Sequence, residues 1–186
     1  MTEKIWPNSE TSKCRKRLEK FSKGDGVDLG YAGDPIVKTA ITVDLPSGPY
    51  GCVFGEHPQN LHGDATKLHW FQDGVLDYVY ASHLLEDFTP EEIPKIVEEW
   101  LRVVKVGGYV VIYCPDERAY REHCWKAGSV PNAAHKNESF GLKFLVEILE
   151  KAANLKDLYE IAHTIELTDD YCFDLVLKKL WRVEWK

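Results

Sequence analysis

No stretch of this sequence approaches the ~20 consecutive apolar residues that span a bilayer, and the opening MTEKIWPNSE has no apolar signal core. A membrane location is not expected, and the expected compartment is the cytoplasm. Basic residues are the minority: 23 Lys and Arg stand against 30 Asp and Glu, a formal charge of -7. A phosphate backbone would be repelled unless the basic groups cluster on one face, so nucleic acid is disfavoured as a partner. The five cysteines, Cys14, Cys52, Cys114, Cys124 and Cys172, form no CxxC pair and have no metal-ligand spacing. They point to a reducing compartment, and no metal site is expected from them. Internal repeats, low-complexity tracts and a dividing linker are also missing, which leaves a single domain over residues 1–186.

What is present is an alternation of short apolar runs and amphipathic segments. Ser12 to Phe21 reads as a helix whose basic residues (Lys13 to Lys23) face solvent, and Gly24-Asp25-Gly26 breaks it. Strands are expected at Val27–Leu29, Thr39–Val43, Asn60–His62 and Val75–Ser82, the last apolar enough to be buried on both faces. Thr89-Pro90-Glu91-Glu92 starts a helix by a Thr N-cap, a Pro where no amide donor is needed, and a Glu that completes a capping box. That helix carries Ile93, Ile96, Val97, Trp100, Leu101 and Val104 on one face, runs to Gly107-Gly108, and is followed by the strand YVVIYC. The segment Asp116 to Ser139 reads as long and irregular, a candidate lid or acceptor-binding loop. A helix over Phe140–Ala153 and a hairpin of about Leu158–Leu167 and Cys172–Val183 close the chain.

In a β-α-β arrangement of this kind the strands are parallel and their C-terminal ends converge on one crevice. The residues expected there are Leu29-Gly30, Asp44, Asp64, Ala81 to His83 and Cys114 to Asp116. His83, at a strand end, is a candidate general base or acceptor-orienting group, because imidazole exchanges a proton near neutral pH.

The ordered series VDLGYAGDP, ITVDLP, LHGDATKL, LDYVYASHLLEDF and VVKVGGYVVIYCPD resembles the successive motifs of class I S-adenosylmethionine-dependent methyltransferases, especially the small type 11 group. The resemblance implies a Rossmann-like α/β sandwich, mostly parallel with a C-terminal antiparallel hairpin, and S-adenosyl-L-methionine as cofactor. It implies that Asp28, Gly30, Tyr31 and Gly33 lie beside the methionyl end, that Asp44 takes the ribose hydroxyls, and that Asp64 and Ala65 meet the adenine. Ser82 and His83 would face the transferred methyl, with Glu86 bracing the turn. Trp70 and Phe71 are either adenine-packing or ordinary core.

The polar group after the fifth strand adds Asp116, His135 and Lys136 to His83 as acceptor-site candidates, with His83 and His135 as the catalytic candidates. SHLL stands where many amino-group methyltransferases carry an NPPY-like tetrapeptide, which favours a small-molecule or sugar acceptor, methylated at oxygen or nitrogen, over a base. Two other readings stand beside this one: an inactive cofactor-binding protein of the same fold that acts through partners, and an RNA or protein methyltransferase that uses Lys13 to Lys23. A NAD-dependent dehydrogenase is disfavoured by the lack of a full G-x-G-x-x-G.

The pattern departs from the family between strands. Only about ten residues separate Leu29 from Ile41, near the minimum for a parallel crossover, so the usual helix there is expected to be missing. The Gly- and Pro-rich link from Asp44 to Leu61 argues against a second helix. One face of the sheet is therefore expected to be thinly covered, and a homodimer is a candidate means of covering it.

Overall fold

The computed structural model describes residues 9–46 and 59–181. Seven strands form one sheet: β1 (Gly26–Leu29), β2 (Ile41–Asp44), β3 (Leu61–His62), β4 (Leu76–Ser82), β5 (Val104–Pro115), β6 (Tyr159–Thr168) and β7 (Cys172–Lys179). Their order is β3-β2-β1-β4-β5-β7-β6, parallel except for β7, which is antiparallel to both β5 and β6. The order reverses between β1 and β4, and at such a reversal the crossovers on the two sides diverge and leave a crevice above the strands' carboxyl ends.

Helices α1 (Glu10–Leu18), α2 (Ile93–Val103), α3 (Glu117–Ala127) and α4 (Leu142–Lys151) complete the architecture. The larger core lies on the face covered by α2 and α4, where Trp100, Val97, Leu145 and Leu149 pack on Val79, Ala81, Val110, Ile112 and Leu175. Trp100, fully buried, also donates its indole N–H to the Ala65 carbonyl at 2.8 Å, which satisfies the one polar atom that its burial would strand.

The opposite face is not bare. Cys14 and Leu18 of α1 pack with Tyr78, Tyr80, Val111, Tyr113 and Val176, so the N-terminal helix covers ground that the short β1–β2 connection leaves open. The basic run is tied inward as well. Arg17 grips the fully buried Asp174 at 2.8 and 3.1 Å and Asp169 at 2.5 Å, and Arg15 pairs with Asp34.

Three other expectations are corrected. Asp116–Ser139 is not irregular throughout, because α3 occupies Glu117–Ala127, N-capped by Asp116 (Ala119 amide to Oδ1, 3.0 Å) and ended by Gly128 at φ 68°. The capping-box helix stops at Val103 rather than at the glycine pair, and β5 begins at once, with a register shift opposite Leu76 and Tyr78 that takes up Lys105–Gly108. α1 ends at Leu18 and continues as one 3₁₀ turn, Glu19–Phe21.

The expected capping box is only half formed: the Thr89 amide bonds to the Glu92 carboxylate at 2.8 Å, but the α-helix begins at Ile93, with Glu92 and not Thr89 at its N-cap position and no side-chain cap bond. Elsewhere the reading matches. No regular element lies between Leu29 and Ile41. The β2–β3 link falls mostly in residues 47–58, outside the described residues.

Candidate active site

A cavity of ≈ 250 Å³ opens at the β1/β4 reversal. Its wall includes Asp28 and Gly30 from the end of β1, Ser82 and His83 from the end of β4, Asp34 from the crossover and Glu10 from the first turn of α1. A hollow of ≈ 680 Å³ between α4 and β6 is larger but lies away from the reversal.

Backbone conformation makes the cradle. Gly30 has φ 69° and Gly33 φ 97°, a region that costs an L side chain about 1–2 kcal/mol. The Gly30 amide is anchored to the Val43 carbonyl at 3.0 Å, and the Tyr31 amide shares the same oxygen at 3.3 Å. The glycine loop is thus fastened to β2 and turns its backbone toward the cavity. His83 is also left-handed, at φ 51°, held by its amide bonding to the Tyr113 carbonyl at 2.9 Å. A strained non-glycine at a strand end aims its side chain where unstrained backbone would not.

Asp28 is buried, and burial is the main reason its carboxyl is pushed up to about 8; a 2.7 Å bond from the Ile36 amide and the charge of Arg15 oppose the rise, and Asp34 adds to it. A buried carboxyl that ionises only reluctantly is suited to a cationic ligand, which would settle its charge. Glu10 is displaced the other way. Burial would raise it, yet hydrogen bonds and charge from His83 and Lys13 hold it at about 2.

Asp44 sits half-buried at the end of β2, its Oδ1 receiving the Leu45 amide at 2.7 Å, and burial raises its carboxyl above the usual range. Asp64 is turned onto its own loop, accepting from the Thr66 amide at 2.9 Å and the Thr66 hydroxyl at 2.6 Å. Burial raises it, but these bonds and Lys67 outweigh burial and lower it. Phe71 packs on the larger core, whereas Trp70 is 39% exposed and lies over Gly63, where a Cβ would meet its ring at 2.5 Å. The aromatic beside the Asp64 loop is therefore Trp70, and Phe71 is core.

His135 does not face the cavity. Its side chain is 4% exposed, its Nδ1 is 2.5 Å from Glu117 Oε2, and its Nε2 is 3.9 Å from Glu86 Oε1. The same Glu86 oxygen is 3.7 Å from His83 Nδ1, so a file of Glu117, His135, Glu86 and His83 runs beneath the wall that carries Ser82 and His83. Burial raises Glu86, whose Oε2 has no protein partner among the described residues. Asp116 serves as the α3 cap, and Lys136 is exposed with its amide on the Glu86 carbonyl at 2.9 Å; neither lines the cavity. Sequence reasoning missed the wall residues Ser9, Glu10, Thr11 and Asp34, of which Glu10 comes within 3.3 Å of His83. The signal for Glu10 was its place after Ser9, an N-cap whose hydroxyl accepts from Ser12.

A sheet ordered 3-2-1-4-5-7-6, with its crevice at the β1/β4 reversal, a glycine loop after β1 and an acidic residue ending β2, defines the class I methyltransferase fold. Residues 21–112 match the family described as "Methyltransferase domain". The chain belongs to the S-adenosylmethionine-dependent methyltransferases of the type 11 group.

Solved structures with the same fold include the PH0226 protein from Pyrococcus horikoshii OT3, 18% identical with a TM-score of 0.59 over 94% of each chain. They also include a chain of the complex between the Haloferax volcanii Trm112 methyltransferase activator and a methyltransferase, 15% identical, TM-score 0.60, covering 92% of each chain. A third is the N-methyltransferase NodS from Bradyrhizobium japonicum WM9, 12% identical, TM-score 0.56, covering 92% of this chain and 94% of that one. No curated protein matches the sequence.

Proposed function

We propose that this chain transfers the methyl group of S-adenosyl-L-methionine to a small-molecule or sugar acceptor, at oxygen or nitrogen. The observation that carries the reading is the small acidic cavity with Asp28 and Gly30 on one side and Ser82, His83 and Glu10 on the other. The cofactor supplies an electrophilic methyl on a sulfonium with a good leaving group, so the protein's work is placement.

On this reading Gly30, Tyr31 and Gly33 admit the methionyl end, Asp28 meets its ammonium, and Asp44 accepts from the ribose. Asp64 and Ala65 border the adenine, although the Asp64 carboxylate must be shared with Thr66. Ser82 and His83 face the methyl, and His83 orients the acceptor, held from behind by Glu86. His135 acts through Glu86 as a positioning residue. The reading of Lys13 to Lys23 as an RNA-binding face loses support, because Arg15 and Arg17 are tied to Asp34, Asp169 and Asp174.

The test is calorimetric titration of S-adenosylmethionine, S-adenosylhomocysteine and NAD into the full chain, with Asp44→Ala in parallel. Saturable binding of the first two, weakened at least tenfold by the substitution, is expected. Binding of none of them would mean that the shortened loops have abandoned the cofactor and that the protein acts through partners.

A further inference from the structure

Glu10, His83 and Cys172 come from the first turn of α1, the turn after β4 and the first residue of β7, and one donor atom from each lies within 4.8 Å of the others. His83 Nε2 is 3.3 Å from Glu10 Oε2 and 3.4 Å from Cys172 Sγ, and that sulfur is 4.0 Å from the same oxygen. A tetrahedral ion with one bond of about 2.3 Å to sulfur and others of about 2.0–2.1 Å to nitrogen and oxygen sets its ligands roughly 3.3–3.6 Å apart. Two of the three edges already have that length, and the third needs a few tenths of an ångström.

We propose that Glu10, His83 and Cys172 form a Zn²⁺ site whose fourth position opens into the cavity that Glu10 and His83 line. The donor set selects the ion: one thiolate and one imidazole suit zinc and are poor ligands for magnesium or calcium, which take oxygen. The surroundings are those of an oriented site. The other imidazole nitrogen of His83 faces the buried Glu86 carboxylate, and the other oxygen of Glu10 accepts from Tyr171 at 3.0 Å and from Lys13 at 2.7 Å. Metal-bound imidazoles and carboxylates are fixed by partners of this kind. Three protein ligands with one open position is the arrangement of zinc sites that bind a further molecule. An oxygen or nitrogen acceptor entering the cavity would complete the coordination, and His83 would then orient it through the ion. Only this last step rests on the methyl-transfer reading; the site itself does not.

The test uses the full chain, stripped with a chelator, kept reduced and titrated with Co²⁺. One equivalent is expected to give the visible bands of tetrahedral cobalt with a thiolate-to-cobalt band in the near ultraviolet, both removed by stoichiometric Zn²⁺. Cys172→Ser should remove the thiolate band, Glu10→Gln and His83→Gln should each weaken binding at least tenfold, and Cys124→Ser should change nothing. If Cys172→Ser proves unfolded by circular dichroism, the half-buried Glu10 carries the test, and unaltered cobalt affinity in Glu10→Gln overturns the site. Calorimetry with S-adenosylmethionine on the same samples separates the two readings. Cofactor binding without a cobalt equivalent overturns the metal site alone, and cobalt binding without cofactor binding overturns the methyltransferase reading alone.

Discussion

The two halves of the sheet are built to different standards. On one side of the β1/β4 reversal β1, β2 and β3 have four, four and two residues, whereas on the other β4, β5, β6 and β7 have seven, twelve, ten and eight. The long half is held by packing and by buried ion pairs. The short half shares the larger core only through a few side chains such as Val27, Leu29 and Val43, and adds polar locks: Asp28 on the Ile36 amide, Asn60 on Thr42 through three hydrogen bonds, and the Gly30 amide on Val43. A region held by few contacts opens at lower free energy than one held by many. If the methyl-transfer reading holds, the loops of the short half are the ones that a bound cofactor would steady most.

The comparison breaks most readily at Arg17. Replacing it by Met leaves Asp174 buried without its cation, and a loss of about 3–5 kcal/mol is expected in urea unfolding. His163, 3.3 Å from Asp174, should offset only a fraction of that. If the loss is below about 1 kcal/mol, the long half does not rest on this pair.

Asp44→Asn probes the short half. Losing charge-assisted bonds to the ribose should weaken S-adenosylmethionine binding by about 1.5–3 kcal/mol, with little change in melting temperature without ligand. A large fall in melting temperature would show Asp44 to be structural.

Asp28 gives the comparison a pH axis. Its carboxyl keeps its proton to about pH 8 in the folded chain but loses it near pH 4 when unfolded, so this group opposes folding increasingly as pH rises from ~4 to ~8. Below that window it contributes nothing, and above it the cost stays constant. Asp28→Asn should flatten the melting-temperature profile between pH 5 and 8. In the native protein, binding of the cationic cofactor should release protons below pH 8, read by calorimetry in buffers of different ionisation enthalpy.

The smallest expected effect is Gly128→Ala, at the end of α3. Nothing lies within 4 Å of the added Cβ, so the loss should be the conformational cost alone, about 1–2 kcal/mol.

The sequence made the fold legible wherever periodicity was strong. Within the run expected at Val75–Ser82, Tyr78 to Ala81 are buried on both faces of the sheet, and the face of α2 repeats at helical spacing. α3 escaped because ERAYREHCWKA buries only Glu117 and Cys124 and carries no apolar stripe, although Asp116 and Gly128 are a readable cap pair. The cofactor side of the site was visible as glycines and acids at strand ends. The other wall was legible only in part: Ser82 and His83 were read at a strand end, but Glu10 was not, because it reaches them only through the fold and a carboxylate in a polar opening segment announces nothing by itself.

The contact between Cys172 and Glu10 joins positions 162 residues apart. Closing a loop of that length is among the costliest entropic steps open to the chain, and it waits on the antiparallel insertion of β7 between β5 and β6. The wall that carries Glu10 and His83 is therefore finished only by the last strand to be made, whose Phe173, Leu175 and Leu177 also complete the main core.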